Sequence, residues 1–297
     1  MLRTCRPIRT LCFFTFLLVA APSATVGLAD VEVALVPVQD AFVREQAPTL
    51  NYGSAGALNI AGPDAMNGRF ETVMQFDTSG AQAAFDAAFG VGGWDVRAAR
   101  LDANENGAPF NPIFGQGLGD FEIRWLSVDN WVEGSGTPSF AYVGTGNEMT
   151  WELLQTILSA ATESSLGSFS NALSTSPISF NLGASAPFVL DIHAGGLLSL
   201  HCVPTTATIG FTFNSRNYFI ESNHPRLILT AASTRGDLNC DGQISNDDIA
   251  AFTLALLDPA AYAQAFQGCN IQRADFNEDG LTNGDDIAGF VAALPGI

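Results

Sequence analysis

The hydrophobic pattern of this chain divides into an apolar leader, a long middle of short runs, and a tail of helical spacing. The leader is Leu11 to Ala21, preceded by Arg3, Arg6 and Arg9. It is too short to span a bilayer as a mature helix. Gly27-Leu28-Ala29 places small residues at −3 and −1 of a cleavage point before Asp30. A basic start, an apolar core and small residues at the cut make residues 1–29 a secretory signal peptide by pattern. No later run approaches about 18 apolar residues. The expected product is therefore exported, extracellular or at the cell surface, with no membrane span after cleavage.

In the middle, short apolar or alternating runs are broken by Gly, Pro, Asn and Asp. They predict strands at Val31–Val38, Leu58–Ala61, Thr72–Phe76, Ala98–Ala103, Phe121–Val128, Phe188–Ile192, Thr208–Phe213 and Arg226–Thr230. Many short strands between turn signals argue a mainly β domain, a jelly-roll β-sandwich, over residues 30–232. Two segments have helical spacing, Thr78–Phe89 and Trp151–Glu163, and read as loop helices. The Ser/Gly/Asn/Thr-rich piece from Glu163 to Ser179 reads as a surface loop.

The tail carries the most specific pattern. Residues 233–236 read as a linker, and the module beyond them is expected to span 237–297. It contains Asp237-Leu238-Asn239-Cys240-Asp241-Gly242-Gln243-Ile244-Ser245-Asn246-Asp247-Asp248, then Asp275-Phe276-Asn277-Glu278-Asp279-Gly280-Leu281-Thr282-Asn283-Gly284-Asp285-Asp286. Each has oxygen side chains at positions 1, 3, 5 and 12 and glycine at position 6, the spacing of a calcium loop. Alternate side chains converge on one ion, and the glycine allows the sharp turn. Gln243 and Leu281 offer backbone carbonyls at position 7, Ser245 and Asn283 stand at position 9, and Asp248 and Asp286 close the shell. The loops start 38 residues apart and share an Asp-Asp-Ile-Ala continuation. Two in tandem predict two bound calcium ions.

Asp rather than Glu at position 12, and no helix before the first loop, give the order loop, helix, connector, loop, helix. Over residues 236–297 this resembles a type I dockerin, a small α-helical module of paired F-hands. The resemblance implies folding around two calcium ions and docking through the start of the two helices. The matching positions here are Asn246-Asp247 and Gly284-Asp285, where well-studied cohesin binders carry hydroxyl-rich pairs. A cohesin-like or other surface protein is the partner implied.

The middle region also carries an ordered set of local patterns. Asp40-Ala41-Phe42-Val43 is followed by Asn51-Tyr52-Gly53-Ser54, Leu58-Asn59-Ile60 and Arg69-Phe70-Glu71-Thr72-Val73-Met74-Gln75-Phe76-Asp77. Ala99-Arg100-Leu101, Glu122-Ile123-Arg124-Trp125, Trp131-Val132-Glu133-Gly134 and Met149-Thr150-Trp151 come next. Phe188-Val189-Leu190-Asp191-Ile192, Gly210-Phe211-Thr212-Phe213 and Pro225-Arg226-Leu227-Ile228-Leu229 close the series. From about residue 37 to 231 this order resembles the DNRLRE, or disaggregatase-related, family of extracellular β-sandwich domains. Some members bind acidic polysaccharides, and many sit beside polysaccharide-degrading enzymes or in surface proteins. The stretch between Glu133 and Met149 and the helix after Trp151 depart from the family's pattern.

Composition narrows the partners. All 12 basic residues are arginine, against 30 acidic residues. Without the three leader arginines, nine face those 30 carboxylates, a formal charge of −21. Nucleic acid is excluded as a partner, because neutralising phosphates needs a basic face. Cys240 and Cys269 are expected to pair in an oxidising compartment and tie the first loop to the connector. Cys202 reads as a buried thiol rather than a nucleophile, since no catalytic pattern surrounds it. His193, His201 and His224 form no metal-site spacing, and no nucleophile elbow or phosphate loop occurs. The expected protein is non-catalytic.

Sugar binding needs aromatic faces beside a few planar polar groups. Trp125, Trp131, Trp151, Tyr52, Tyr142 and Tyr218 are available, each with core packing as the alternative. Trp131 stands out, because Asp129-Asn130-Trp131 reads as a strand end running into a loop. Arg44, Arg69, Arg216 and Arg226 offer forks for uronate carboxylates, with structural ion pairs as the alternative. The reading is thus a polysaccharide-binding sandwich tethered by a calcium module. A structural or adhesive surface protein is the first alternative, and a polysaccharide-degrading enzyme the second.

Overall fold

The computed structural model describes residues 30–106, 116–171 and 177–295. The leader at residues 1–29 lies outside them. Among the described residues no helix is long and apolar enough to cross a membrane.

Thirteen strands and six α-helices follow one another in the described chain. They are β1 (Val31–Leu35), β2 (Pro37–Arg44), β3 (Leu50–Asn51), β4 (Ala57–Ala61), β5 (Phe70–Asp77), α1 (Ser79–Phe89), β6 (Trp94–Ala103) and β7 (Gly119–Leu126). Then come β8 (Tyr142–Val143), α2 (Trp151–Leu158), β9 (Glu163–Asn171), β10 (Ile178–Leu182), α3 (Ala186–Ala194), β11 (Leu197–Pro204), β12 (Gly210–Asn214) and β13 (Arg226–Ser233). The tail holds α4 (Asp248–Leu257), α5 (Pro259–Ala265) and α6 (Ile287–Ala293).

The strands form two antiparallel sheets that share one core, a β-sandwich-like fold. The smaller sheet runs β1-β13-β6-β10; the larger runs β12-β4-β5-β11-β7-β9, with β2 also on β5. β1 and β13 lie side by side, with Val31 opposite Ala231 and Leu35 opposite Leu227. Alternation builds the interior. On β5, Met74 and Phe76 face the smaller sheet's Leu101, Phe180, Leu227 and Leu229, so Glu71, Val73 and Gln75 fall on the outer face. Phe121, Phe180 and Phe211 meet ring to ring at 5.3–5.9 Å. Helices α1 and α3 add Phe85, Phe89, Phe188 and Ile192 to this core.

Four readings change. Val31–Val38 is not one strand but β1 and the start of β2, which cross from the smaller sheet to the larger. Phe188–Ile192 is not a strand but the body of α3. A strand would bury Phe188, Leu190 and Ile192 together, whereas Phe188 and Ile192 are buried and Leu190 is 68% exposed. Pro187 in the first turn presets the helical φ. Residues Glu163–Asn171 are not a loop but β9, paired with β7 from Leu126↔Glu163 to Gly119↔Asn171. Its small polar residues hide a strand whose Leu166 and Asn171 point inward. Asn171 there donates to the carbonyls of Gly117 and Gly210 at 3.2 and 2.8 Å. Helix α2 also stops at Leu158, before Glu163. Strand β11 carries no signal in the pattern, because it is buried on both faces and does not alternate.

The tail packs on itself. Leu238, Phe252, Tyr262, Phe290 and Leu294 form a cluster separate from the sandwich core. Phe252 and Phe290 stack at 4.0 Å and 12°, each fifteen residues past the start of its loop. The Tyr262 hydroxyl donates to Leu238 O at 2.9 Å, which holds α5 against the first loop. The expected Cys240–Cys269 disulfide is present. Strand β13 runs to Ser233, so the connection to the tail is shorter than the 233–236 read from composition. It is also pinned: Thr234 N donates to Gly93 O and Gly236 N to Arg273 O, both at 2.9 Å.

Candidate functional site

Two places gather chemistry-bearing side chains. The first is the pair of loops in the tail, 237–248 and 275–286. Their hydrogen bonds repeat almost bond for bond. Asp248 Oδ1 accepts from Leu238 N and Asn239 N, and its Oδ2 from Ser245 N, at 2.7–3.0 Å. Asp286 accepts from Phe276 N, Asn277 N and Asn283 N at 2.7–3.1 Å. Asn239 Oδ1 takes Asp241 N, and Asn277 Oδ1 takes Asp279 N. Among the described residues only Cys240 (φ 57°) and Glu278 (φ 61°) are non-glycines at positive φ, and both stand at position 4. Gly242 (φ 84°) and Gly280 (φ 83°) follow at position 6, with open space where a Cβ would stand. The glycines are there for backbone conformation, not for room.

A hard cation fits this arrangement in its donor type. Asp275 is 7% exposed, and its Oδ1 is buried without a hydrogen-bond partner among the described residues. Such an oxygen is costly unless something positive meets it. In the first loop Asp237 Oδ1 accepts from Asp241 N at 3.1 Å. Its Oδ2 takes Gly242 N and the Arg273 guanidinium, at 3.2 and 3.0 Å. Burial raises the Asp237 pKa, against the opposing charge of Arg273. Asp248 and Asp286 are buried and each already accepts three N–H groups, which leaves one lone-pair site on each for an ion. Among the described residues no three His, Cys, Asp or Glu side chains are gathered as a metal cluster. The loops instead mix carboxylates with the Asn239 and Asn277 amides, Ser245, Asn283 and the backbone at Gln243 and Leu281. Asn246, Asp247, Gly284 and Asp285, the partner-facing candidates, are all exposed.

The second place lies on the outer face of the larger sheet. Strand alternation puts Glu71, His201 and Arg124 on one face: Arg124 on β7 stands opposite His201 on β11, and Glu71 on β5 lies two residues from His201's partner Val73, with Glu163 at the start of β9. His201 Nδ1 is 2.7 Å from Glu163 Oε1, and its Nε2 is 3.1 Å from Glu71 Oε2. A neutral imidazole has one N–H, so two ionised carboxylates require the doubly protonated ring. Burial would push the His201 pKa down, but the Glu163 and Glu71 bonds overturn it and the pKa is raised. Burial likewise opposes ionisation of Glu71 and Glu163. The hydrogen bonds and charges of His201, with Arg69 and Arg124, prevail and hold both below the usual glutamate range. Arg69 donates through Nε and Nη2 to Glu71 at 2.8 and 2.5 Å. Arg124 reaches Glu122 at 2.6 Å and Glu163 at 3.1 Å.

A wall rises beside this charged floor. Trp151, Gln155 and Leu158 line a cleft with Arg69, Glu71, Arg124 and His201. On α2 they stand at i, i+4 and i+7, one stripe of the helix. Thr150 caps α2 by accepting from Leu153 N at 3.2 Å. Leu154 on the inner stripe is buried with Val43, Val73 and Trp131 against the same sheet.

Trp131, Arg216 and Arg44 are held in structural contacts away from this cleft. Trp131 is 1% exposed, and its Nε1 donates to Ser199 Oγ at 3.0 Å. Trp131 does stand in the irregular segment after β7, but the sugar-binding reading of it is corrected: its ring has no open face for a sugar, because α2 and the sheet enclose it. Arg216 pairs with Glu133 at 2.7 Å and also binds Pro37 O, while Asn217 holds the same glutamate. Arg44 lies over the Phe70 ring and donates to Asn67 O. Of Arg44, Arg69, Arg216 and Arg226, only Arg69 lines the cleft, and it does so already paired. Arg124 and His201 were missed as site residues. Their signal is period-two spacing that aligns Glu71, His201 and Arg124 once the strand pairing is known. Cys202 is buried, and burial pushes its thiol up to about 12, which makes it inert as a nucleophile.

No protein-family model matches this chain, and no curated protein sequence matches it.

Proposed function

We propose that this chain is an exported, non-catalytic binding protein. In this reading residues 30–232 are a DNRLRE-like sandwich that holds extracellular polysaccharide. Residues 237–297 are a dockerin-like module that folds on two calcium ions and tethers the sandwich to a surface protein. The supporting observation is the repeated loop: identical carboxylate spacing, matching hydrogen bonds, and positive φ at positions 4 and 6 of both copies. Repetition of a strained non-glycine backbone at position 4, which costs about 1–3 kcal/mol per residue, argues for a shared ligand. Oxygen donors of this spacing suit calcium. Asp237, Asn239, Asp241, Ser245 and Asp248 hold the first ion with the Gln243 carbonyl. Asp275, Asn277, Asp279, Asn283 and Asp286 hold the second with the Leu281 carbonyl. The exposed residues Asn246, Asp247, Gly284 and Asp285 then face the partner.

Calorimetric titration of the secreted protein with calcium is the test. Two ions bound per chain is the expected result, and no heat above that of magnesium would overturn the reading. Immobilised polysaccharides, probed with the same protein, test the sandwich.

A further inference from the structure

The cleft between α2 and the outer face of the larger sheet does not suit the ligand that its arginines suggest. Arg69 and Arg124 invite a uronate carboxylate, because a guanidinium fork matches a carboxylate in shape and charge. Both forks are occupied. Arg69 is committed to Glu71, which is 3% exposed, and Arg124 to Glu122 and Glu163. A sugar carboxylate would have to displace one of these, leaving a buried glutamate without its counter-charge. The charges at the cleft are close to balanced. Its lining carries Glu45 and Glu71 with Arg69, Arg124 and His201, and Glu122 and Glu163 pair with Arg124 and His201 beside it. Each of these cations already has a carboxylate partner, and the chain is strongly acidic overall, so an anion is repelled at long range.

What the floor offers instead is a set of donors and acceptors already balanced against each other. Arg69 Nη1 is not used by Glu71 and carries N–H groups that can donate outward. The exposed Glu45 carboxylate can take hydroxyl protons, and the Gln155 amide can do both. Hydroxyl groups, each a donor and an acceptor, match such a surface without displacing any ion pair. The wall supplies the complement. Trp151 and Leu158 present apolar surface two turns apart, where the C–H face of a pyranose ring packs on an indole. The cleft volume, about 240 Å³, lies below the roughly 300 Å³ at which drug-sized pockets begin, so it holds one ring of a chain rather than a long segment.

We infer that this cleft is a binding site for an uncharged sugar residue, stacked on Trp151 and hydrogen-bonded to Arg69. The inference rests on the polysaccharide reading of the sandwich and narrows it to neutral glycans. The test uses the full secreted chain in millimolar calcium. Neutral polymers (β-glucan, mannan, xylan, galactan), uronic polymers (alginate, pectate) and the cationic polymer chitosan are immobilised in parallel. Oligosaccharides of the polymer retained are then titrated calorimetrically.

The expected result is retention on a neutral polymer, weakened at least tenfold by Trp151→Ala and only a few-fold by Trp151→Phe. Trp151 also touches the packing under α2, so the melting temperature is followed in each variant. Gln155→Ala, on the exposed stripe, gives a second reading that does not depend on packing, with a loss of about threefold expected. Neutral-polymer binding unchanged by Trp151→Ala and by Gln155→Ala would place the sugar elsewhere and overturn the cleft assignment. Retention on alginate, pectate or chitosan alone would overturn the neutral class while leaving the polysaccharide reading standing. Retention on none would remove both.

Discussion

His201 Nε2 lies 3.1 Å from Glu71 Oε2, and neither side chain is more than 3% exposed. With Glu163 on the other ring nitrogen, an imidazolium is locked between two carboxylates on one face of the larger sheet. The pH dependence of stability follows from the directions of the shifts. The His201 pKa is raised on folding, so its contribution is complete below the ordinary histidine value of about 6.5. That contribution is lost as pH climbs through the raised value. Glu71 and Glu163 are lowered, so their contribution is complete above about pH 4.3 and is lost as pH falls through the lowered values. Stability from this cluster should peak between about pH 4.3 and 6.5. His201→Ala should cost about 3 kcal/mol by stranding both glutamates and should flatten the alkaline limb. Urea midpoints measured from pH 4 to 9 check both. An alkaline limb that survives the substitution would remove His201 as its source.

Trp131→Ala should unfold rather than unbind. The ring is enclosed by Val43, Val73, Met149 and Leu154, and its N–H is used by Ser199. Loss of a buried tryptophan costs about 3–5 kcal/mol. The melting temperature should drop sharply, whatever the glycan affinity does at temperatures where the variant is still folded.

The tail should need calcium to fold. Its cluster holds few large side chains, and each loop crowds carboxylates that repel until neutralised. In chelator, helical circular dichroism from α4, α5 and α6 should fall, then recover cooperatively as calcium is added. Asp241→Ala and Asp279→Ala should each remove about one ion's worth of binding heat. The Cys240–Cys269 bridge spans 29 residues and contributes about 3–4 kcal/mol in the chain-entropy account. Cys269→Ser should therefore raise the calcium concentration at which helicity returns.

The two loops should differ in affinity. Asp237 already carries the Arg273 guanidinium at 3.0 Å, while Asp275 Oδ1 is bare. A fixed positive charge beside the first loop weakens its ion by about 1–2 kcal/mol at an intermediate effective dielectric. Loop two should fill first. Arg273→Gln should strengthen loop one roughly tenfold and destabilise the calcium-free tail. A two-site calcium isotherm of the variant measures the first effect and its melt in chelator the second. Indistinguishable isotherms for the two proteins would dismiss Arg273 as the cause.

Local chemistry was legible in the sequence; long-range chemistry was not. The spacing of the loops, α1, the Cys240–Cys269 bridge, the extent of β4 within one residue and the end of β6 at Ala103 follow from spacing within a dozen or so residues, or from counting thiols. Helix α3 was misread because its apolar residues are adjacent in sequence, and only burial shows that Phe188 and Ile192 face one way while Leu190 faces another. Trp131 was misread because a polar neighbourhood in sequence says nothing about α2 folding back over it. The charged floor depends on β5, β11 and β7 lying next to one another, with Glu71 and His201 separated by 130 residues. No window of local sequence contains that relation. It emerges only from strand pairing, which also explains why Arg69 was recognised as a fork but not as one already filled.

Because β1 and β13 are antiparallel neighbours, Val31 opposite Ala231, the chain enters and leaves the sandwich at the same end of one sheet. A pull between residue 30 and the tail would load that ladder end-on, so its hydrogen bonds would break in sequence, not together. Antiparallel strands opened this way peel like a zipper and yield at low force. A load applied between the tail and the cleft beside α2 avoids that geometry, since the force then passes through β5, β11 and α2. The direction of load, more than the folding free energy, would decide how long the sandwich holds.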